Sequence, residues 1–214
     1  MLEHGIVILY YFFFFFIILF SIGQLALLIT FLFNRKKEKP VNTTFELPLL
    51  TIQLPIFNER FVIERLLYSV ERLNYPKNRL EIQILDDSTD DTRTIAAKRV
   101  EQLKTLGFNI QHIHRSNREG YKAGALQNGL ISASGDYLAI FDADFVPHPD
   151  FLTDTLPYFT DKQTGMVQTR WGHLNAMQSL LTMAQATGLN NHFIIDQEGR
   201  NKGGYFINFN GSIA

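Results

Sequence analysis

The sequence predicts an α/β fold, a mostly parallel sheet flanked by helices, preceded by one transmembrane helix. Three observations lead to this class. Between residues 49 and 141, four short apolar runs are separated by longer segments of helical periodicity, an order typical of parallel sheets with helices on both faces. Polar or charged residues follow each run, as at the strand ends of open α/β sheets. Residues 5–34 contain no charged side chain, which is typical of a membrane span.

The N-terminal segment is the most apolar part of the chain, and residues 12–16 are all phenylalanine. As a helix, residues 5–33 would be roughly 44 Å long, which exceeds the roughly 30 Å hydrocarbon core of a bilayer. A cleaved signal peptide is the alternative, but such peptides have a basic start and a shorter apolar core, whereas Glu3 and His4 precede this one. We therefore expect residues 1–34 to form a transmembrane helix.

Basic residues flank this helix on one side only. Arg35, Lys36, Lys37 and Lys39 follow it, and no Lys or Arg precedes it. The positive-inside rule then predicts that residues 35 onward face the cytoplasm, beginning with a polar linker over residues 35–48. The absence of cysteine agrees with a reducing compartment. A net charge of −1 gives no indication of a nucleic-acid partner.

Four strands and three helices are predicted in the part that follows. The first strand covers residues 49–54 and is expected to end at Pro55, because proline lacks an N–H. Asn58 is expected to cap a helix over residues 59–74. The later elements are a strand at 81–85, a helix ending near 106, a strand at 108–113, a helix near 123–133 and a strand at 136–141. Such short connections between strands and helices predict a mostly parallel sheet.

Asp142 and Asp144 follow the fourth predicted strand, one residue apart. If the strand is still extended there, both side chains point to the same side. If it has begun to turn, they straddle the strand end, where open α/β sheets bind ligands. Two close carboxylates in an apolar strip need a compensating cation, and a hard divalent cation that itself holds a phosphate meets that need. The alternative is that both aspartates cap the following turn.

Polar residues at the other strand ends share this edge of the predicted sheet. Asn58 and Glu59 follow the first strand, Asp86 and Asp87 follow the second, and Lys122 lies at the start of the third helix. A helix N-terminus with small residues and a lysine favours a phosphate, although the P-loop spacing is absent. The alternative is a solvated lysine beside glycines that only interrupt the helix.

Four segments resemble glycosyltransferase family 2, above all its membrane-bound cellulose-synthase-like and mannan- or glucan-synthase-like branch. They are LPIFNE (54–59), QILDDSTDDT (83–92), REGYKAGALQNGL (118–130) and YLAIFDADFVPHPDFL (137–152). The resemblance implies a GT-A nucleotide-sugar-binding fold over residues 49–214, expected to be incomplete at its C-terminal end.

The same resemblance implies roles for individual residues. Asn58 and Glu59, with Asp86 or Asp87, would line the nucleoside pocket of a UDP-type nucleotide. Lys122 would contact the diphosphate. The remaining pair, Asp142 and Asp144, would match the DxD motif of the family and hold Mg²⁺ or Mn²⁺ against that diphosphate.

Residues after 150 extend the resemblance. A strand is predicted at residues 166–171. Within it, Gln168, Arg170 and Trp171 resemble the segment that lies near the donor sugar in members of the family. Asn210 and Ser212 resemble a turn beside the acceptor site, with an ordinary Asn-Gly turn as the alternative. A mostly apolar helical pattern runs from residue 176 to about residue 198.

The function expected from the resemblance is inverting, metal-dependent transfer of a hexose from a nucleotide sugar to a growing β-glycan at the membrane. The general base of the family is an aspartate that we expect beyond Ala214, so we assign no catalytic residue within the chain. Two alternatives stay open. One is transfer to a lipid acceptor, and the other is a truncated, non-catalytic protein that binds a nucleotide sugar or pairs with a full-length partner.

Overall fold

The computed structural model describes residues 2–33 and 47–209, which form two compact units. One unit holds the N-terminal helix α1 (Leu2–Phe33) together with residues 170–209, and the other holds residues 47–169. Most of the linker expected at residues 35–48 lies outside the described residues, and so do Asn210 and Ser212.

Helix α1 has the length and composition of a membrane span over its 30 residues His4–Phe33. Most of its large apolar side chains between Ile6 and Phe33 are exposed. The hydroxyls of Ser21 and Thr30 each donate to the carbonyl four residues earlier, at 2.8 Å. These two polar groups are therefore satisfied within the helix, as an apolar environment requires.

Four parallel strands form the centre of the second unit. They are β1 (Leu50–Ile56), β2 (Leu80–Asp86), β3 (Asn109–His114) and β4 (Tyr137–Ile140), in the spatial order β3-β2-β1-β4. The predicted α/β class is confirmed. The chain moves outward from β1 to β3 and then returns to the opposite side of β1 with β4. The strand order thus reverses between β1 and β4, and ligands of open α/β sheets bind in the crevice at such a point.

The helices that cover this sheet are α2 (Ile63–Glu71), α3 (Thr92–Thr105), α4 (Tyr121–Leu130) and α5 (Phe151–Thr155), the last followed by a 3₁₀ turn (Leu156–Thr160). Apolar side chains of the strands and of α2 are completely buried, among them Ile52, Leu54, Ile82, Ile84, Ile63 and Leu66. Burial of this continuous core is what fixes the strand ends, and therefore the edge at which the polar residues meet.

A buried carboxylate ties the connection before β4 to the rest of the sheet. Glu81 on β2 is 2% exposed. It accepts hydrogen bonds from the hydroxyl of Thr51 at 2.6 Å and from the backbone N–H of Ser134 at 2.8 Å. Because an unpaired buried carboxylate is costly, these bonds hold the α4–β4 connection in one place and set where β4 begins.

The first predicted helix begins later than expected. Helix α2 starts at Ile63, with Val62 at its N-cap and no capping side chain. Asn58 instead adopts a positive φ of 56°. Its side chain accepts a hydrogen bond from the backbone N–H of Thr89 at 2.9 Å. The predicted cap at Asn58 was wrong because that side chain fastens one sheet-edge loop to the next.

The expectation that Pro55 ends the first strand was also wrong. The carbonyl of Ile56 accepts a hydrogen bond from Asp87 on the β2 side, whereas the carbonyl of Gln53 accepts one from Phe141 on the β4 side. Alternate residues of a parallel strand face alternate neighbours, so the nitrogen of Pro55 faces β4. The pairing of β1 with β4 ends at Gln53. The missing N–H of Pro55 therefore costs no ladder bond.

Residues 166–171 do not form the predicted strand. Their composition suits a strand, but they pair with none of the four strands that the structure describes. The helical pattern after residue 176 is present in the first unit as α6 (Leu180–Asn191), a π-helical turn (His192–Gln197) and α7 (Glu198–Lys202). Helix α7 packs on α1, where the Lys202 ammonium lies 4.7 Å from the Phe31 ring centre.

Candidate functional site

A cavity of about 430 Å³ opens at the carboxyl edge of the sheet. This volume is within the range of roughly 300–1,000 Å³ typical of small-molecule sites. It lies at the crevice between β1 and β4, and its walls also include the ends of β2 and of the β3–α4 loop. Its polar lining residues are Glu59, Asp87, Arg118, Lys122, Asp142 and Asp144.

Asp142 and Asp144 line the cavity from the end of β4. The backbone N–H of Phe145 donates to the carbonyl of Asp142 at 3.1 Å, so the chain has begun to turn and the two aspartates straddle the strand end. The Asp142 carboxylate forms an ion pair with Lys122. The carbonyl of Asp144 accepts a hydrogen bond from Arg65 of α2 at 3.0 Å. Arg65 thus holds the turn from the side of α2.

Lys122 reaches Asp142 because α4 begins with an unusual bend. Gly120 and Tyr121 have φ values of 68° and 50°, and a left-handed conformation is uncommon for a residue other than glycine. Close packing continues at Gly124, where an added Cβ would lie 2.0 Å from the carbonyl oxygen of Glu119. Small residues at this helix start therefore allow the loop and the helix to touch, and Lys122 follows directly.

The two aspartates after β2 have different environments. Asp86 does not line the cavity; its side chain is completely buried and accepts hydrogen bonds from His112 Nε2 at 2.7 Å and from the Ser88 N–H at 2.8 Å. Burial alone would raise the pKa of Asp86, but the hydrogen bonds from His112 and Ser88 outweigh it and leave that pKa lowered. Asp87 does line the cavity, with both carboxylate oxygens bound by Arg115 at 2.8 and 2.5 Å.

Asn58 and Glu59 follow β1. Asn58 is exposed and bound to the β2–α3 loop, since its backbone N–H donates to the Ser88 hydroxyl at 3.0 Å. Glu59 is half-buried and lines the cavity. Burial, and then the negative charges of Asp144 and Asp142, raise the pKa of Glu59 above its ordinary value. Several carboxylates therefore share one crevice, and their mutual repulsion favours a bound cation.

The residues present fit a divalent cation that is bound jointly with a ligand. Among the described residues, no group of three carboxylate or imidazole side chains is arranged to hold a metal ion by itself. Magnesium-type sites commonly use one or two carboxylates and complete the coordination shell with phosphate and water oxygens. Asp142 and Asp144 supply such a pair beside Lys122. The cavity therefore has the groups needed to bind an anion through a cation and a lysine.

Two cavity residues, Phe57 and Arg118, follow predicted strands but were given no role from the sequence. The Arg118 guanidinium lies 3.3 Å from the centre of the Phe57 ring and 5.1 Å from that of Tyr121. Phe57 lines the cavity next to Asn58. An aromatic residue directly before the polar pair at a strand end was the signal available, because a flat apolar ring at a binding edge can stack on a ligand.

The other predicted residues that the structure describes do not line this cavity. Gln168 is half-buried in the second unit and does not line the cavity. Arg170 and Trp171 belong to the first unit, where the Trp171 ring lies edge-to-face with Phe193 at 5.8 Å. Asn210 and Ser212 lie outside the described residues.

Comparison with solved structures places this fold among known ones. A mannosyltransferase from Pyrobaculum calidifontis, PcManGT, in complex with GDP-Man and Mn²⁺, aligns with a TM-score of 0.60 and 26% identity, over 72% of this chain and 46% of that one. TarS of S. aureus aligns with a TM-score of 0.51 and 21% identity, over 59% of this chain and 22% of that one. The expected GT-A-type fold is confirmed.

Comparison with curated proteins identifies relatives in plants. Glucomannan 4-beta-mannosyltransferase 9 of Arabidopsis thaliana is 38% identical over 198 residues, which cover 86% of this chain and 37% of the relative. Probable glucomannan 4-beta-mannosyltransferase 3 of Oryza sativa subsp. japonica is 39% identical over 172 residues, which cover 78% of this chain and 31% of the relative. The chain thus spans about a third of the length of these relatives.

The family model for "Glycosyl transferase family 2" matches residues 51–212, a range that includes the sheet except Leu50 and every lining residue of the cavity. The resemblance seen in the four sequence segments, including its mannan-synthase-like branch, is confirmed by this match and by the plant relatives. The chain belongs to glycosyltransferase family 2.

Proposed function

We propose that this chain takes part in the transfer of mannose from a nucleotide sugar to a growing β-glycan at a membrane. The relatives in plants are named as glucomannan 4-beta-mannosyltransferases, which supports a mannosyl group and a glycan acceptor. The observation that carries the proposal is the cavity at the switch point of the sheet, where Lys122, Asp142 and Asp144 converge.

The donor is proposed to be a nucleoside diphosphate sugar. Lys122, at the start of α4, would bind the diphosphate beside the N-terminus of that helix. Phe57 and Asp87 also line the cavity and would contact the nucleoside. PcManGT, at 26% identity, is described with GDP-Man. That complex supports GDP-mannose, whereas the resemblance of the motifs alone favoured a UDP-linked sugar.

The metal is proposed to be Mn²⁺ or Mg²⁺ held by Asp142 and Asp144. Glu59 lines the same crevice, where burial, and then the negative charges of Asp144 and Asp142, raise its pKa; the second of these causes agrees with a site that attracts a cation. PcManGT is described with Mn²⁺. A divalent cation at this position neutralises the diphosphate leaving group as its charge develops. Lys122 would share that task by moving its charge from Asp142 toward the diphosphate.

Transfer from an α-linked sugar nucleotide to a β-linked product inverts the anomeric carbon. The acceptor hydroxyl oxygen forms a bond to that carbon, the bond to the diphosphate oxygen breaks, and a general base takes the hydroxyl proton. The described residues supply the donor side of this reaction, and we assign no general base among them. Orientation with residues 35 onward in the cytoplasm, where nucleotide sugars would be available, belongs to the same proposal.

The test uses the full chain in a mild detergent and measures binding and transfer separately. GDP-mannose and UDP-glucose are titrated in the presence of Mn²⁺ or Mg²⁺, and radiolabelled mannose transfer is followed to a β-linked manno-oligosaccharide or to a lipid acceptor. We expect metal-dependent binding of GDP-mannose. Tighter binding of the UDP sugar would overturn the choice of donor, and the absence of binding to either would overturn the function.

Transfer decides between the proposal and its alternatives. Product on the oligosaccharide supports glycan synthesis, whereas product only on the lipid would support a glycolipid-forming enzyme. A chain that binds the nucleotide sugar but transfers no mannose would support a non-catalytic protein. In that case transfer would appear only when a longer family member is added.

A further inference from the structure

Arg115 connects two walls of the cavity through a single side chain. Its Nε donates to Asp87 Oδ1 at 2.8 Å and its Nη2 donates to Asp87 Oδ2 at 2.5 Å. Both side chains are nearly buried, at 12% and 5% exposure. A fork of two parallel bonds to one carboxylate is a geometry that guanidinium provides and an ammonium group does not. Arg115 therefore sets the orientation of the Asp87 carboxylate, not only its charge.

The same guanidinium holds the entry to α4. Nη1 donates to the carbonyl of Glu119 at 3.2 Å, and Nη2 donates to the carbonyl of Tyr121 at 3.1 Å. These carbonyls lie on either side of the bend formed by Gly120 and Tyr121, both of which have positive φ. A residue other than glycine stays in such a conformation only where the surrounding structure holds it. The two hydrogen bonds from Arg115 stabilise the conformation of this bend.

The bend determines where Lys122 starts, because Lys122 is the next residue. Packing around it leaves little freedom: a Cβ on Gly124 would lie 3.1 Å from Arg115 Nη1 and 2.0 Å from the Glu119 oxygen. The Arg115 guanidinium is thus enclosed between the Asp87 carboxylate and the first turn of α4. A shift on either side is passed to the other through rigid contacts.

We propose that Arg115 is a positioning residue that couples Asp87 to Lys122, so that the nucleoside side and the diphosphate side of the cavity are set together. The proposal rests on the proposed function, in which a nucleoside diphosphate is the ligand. Arg115 acts through its two partners, since the hydrogen bonds of its side chain are made to Asp87 and to the backbone before Lys122.

The first test compares Arg115→Gln and Arg115→Lys in the full chain in detergent, by titration with GDP and Mn²⁺. We expect each variant to bind GDP about tenfold more weakly, the loss that one charged hydrogen bond commonly produces. Arg115→Lys keeps the charge, so an equal loss points to the lost fork. The matched control is Arg99→Gln, which removes another partly buried ion pair, with Glu71, away from the cavity. Wild-type affinity in both Arg115 variants would overturn the proposal.

The second test asks whether Arg115 works through Lys122. Lys122→Met is made alone and combined with Arg115→Gln. If Arg115 acts partly through Lys122, the double variant loses less GDP affinity than the product of the two single losses, because coupled residues give non-additive losses. Independent losses that multiply would show that Arg115 does not position Lys122, and would overturn the coupling.

The third test does not depend on nucleotide binding. Hydrogen exchange is measured at the backbone amides of residues 119–124 in the same variants, with far-UV circular dichroism to confirm folding. We expect exchange there to be about tenfold faster in Arg115→Gln, from the loss of bonds to a charged group, and unchanged in Arg99→Gln. If the wild type binds no nucleotide, the proposed function fails while this readout still decides whether Arg115 holds the bend. Unchanged exchange would overturn it.

Discussion

His112 is expected to be a stabilising partner of Asp86, and replacing it by leucine tests how the strand end beside the cavity is held. The Asp86 side chain is completely buried, whereas that of His112 is 14% exposed. His112→Leu keeps an apolar side chain on β3 but removes the Nε2 contact at 2.7 Å. Asp86 would then keep the Ser88 N–H as a partner, at 2.8 Å.

The magnitude follows from burial. A hydrogen bond to a charged group contributes about 1.5–3 kcal/mol, and leaving a buried charged group without its partner costs at least as much. Because the His112 side chain is only slightly exposed, little of this is lost to solvent screening. We expect His112→Leu to lower the free energy of unfolding by about 2–3 kcal/mol at pH 7, a large part of the roughly 5–15 kcal/mol typical of a domain.

The effect should depend on pH in one direction. The pKa of Asp86 is lowered, since the hydrogen bonds from His112 and Ser88 outweigh the opposing effect of burial. A carboxyl with a lowered pKa stabilises the fold above its unfolded value of about 3.9 and loses that contribution as the pH falls through the folded value. The difference between wild type and His112→Leu should therefore be full at pH 7 and shrink below about pH 4.

The assay is urea unfolding of the full chain in detergent, followed by far-UV circular dichroism between pH 7 and pH 3. His114→Leu is the matched control, because His114 lies two residues along the same strand and is exposed. We expect the control to unfold as the wild type does. Equal stability of His112→Leu and wild type at pH 7, or a difference that persists undiminished at pH 3, would refute the role given to this pair.

Two further substitutions test other parts of the site. Gly124→Ala should weaken GDP binding and destabilise α4, because the added Cβ would lie 2.0 Å from the Glu119 carbonyl oxygen. Gly188→Ala is the control and should leave GDP binding unchanged, because a Cβ added there has no atom within 4 Å. Normal GDP affinity in Gly124→Ala would contradict the close packing. Asp144→Asn should lower the pKa of Glu59, because burial and then the Asp144 charge raise that pKa. An NMR titration of the Glu59 carboxyl carbon measures the change. An unchanged pKa would show that the two groups do not share one crevice.

Periodicity was sufficient to predict the sheet, because apolar runs separated by helical segments allow few topologies. It was not sufficient at Asn58 and Pro55. Asn58 has the chemistry of a helix cap, yet its partner, Thr89, lies 31 residues away and is brought close only by the parallel pairing of β1 and β2. Pro55 stays within β1 because β4 is short. Both depend on neighbours that a local pattern does not contain.

The candidate site was also predicted in part from the sequence. Strand-end reasoning brought Glu59, Lys122, Asp142 and Asp144 to one edge, and the structure brings all four to one cavity. Asp86 and Asp87 could not be separated from sequence, because adjacent residues at a strand end differ only in which side they face. The structure places Asp86 in the interior and Asp87 on the cavity wall.

Strand composition also misled at residues 166–171, since a strand needs a partner as well as a suitable composition. Residues 166–171 form no ladder with any of the four strands that the structure describes. Arg170 and Trp171, expected near the donor sugar, are described in the unit that holds α1. Their proposed contact with the donor therefore stays a prediction.

The most direct test of a metal-dependent nucleotide site is calorimetric titration of GDP into the full chain, with and without Mn²⁺. Asp142→Asn and Asp144→Asn are compared with Asp136→Asn, an exposed aspartate directly before β4, whereas the other two follow it. We predict that Mn²⁺ strengthens GDP binding in the wild type and in Asp136→Asn, and has no effect in the other two. Equal strengthening by Mn²⁺ in all four proteins would contradict the site.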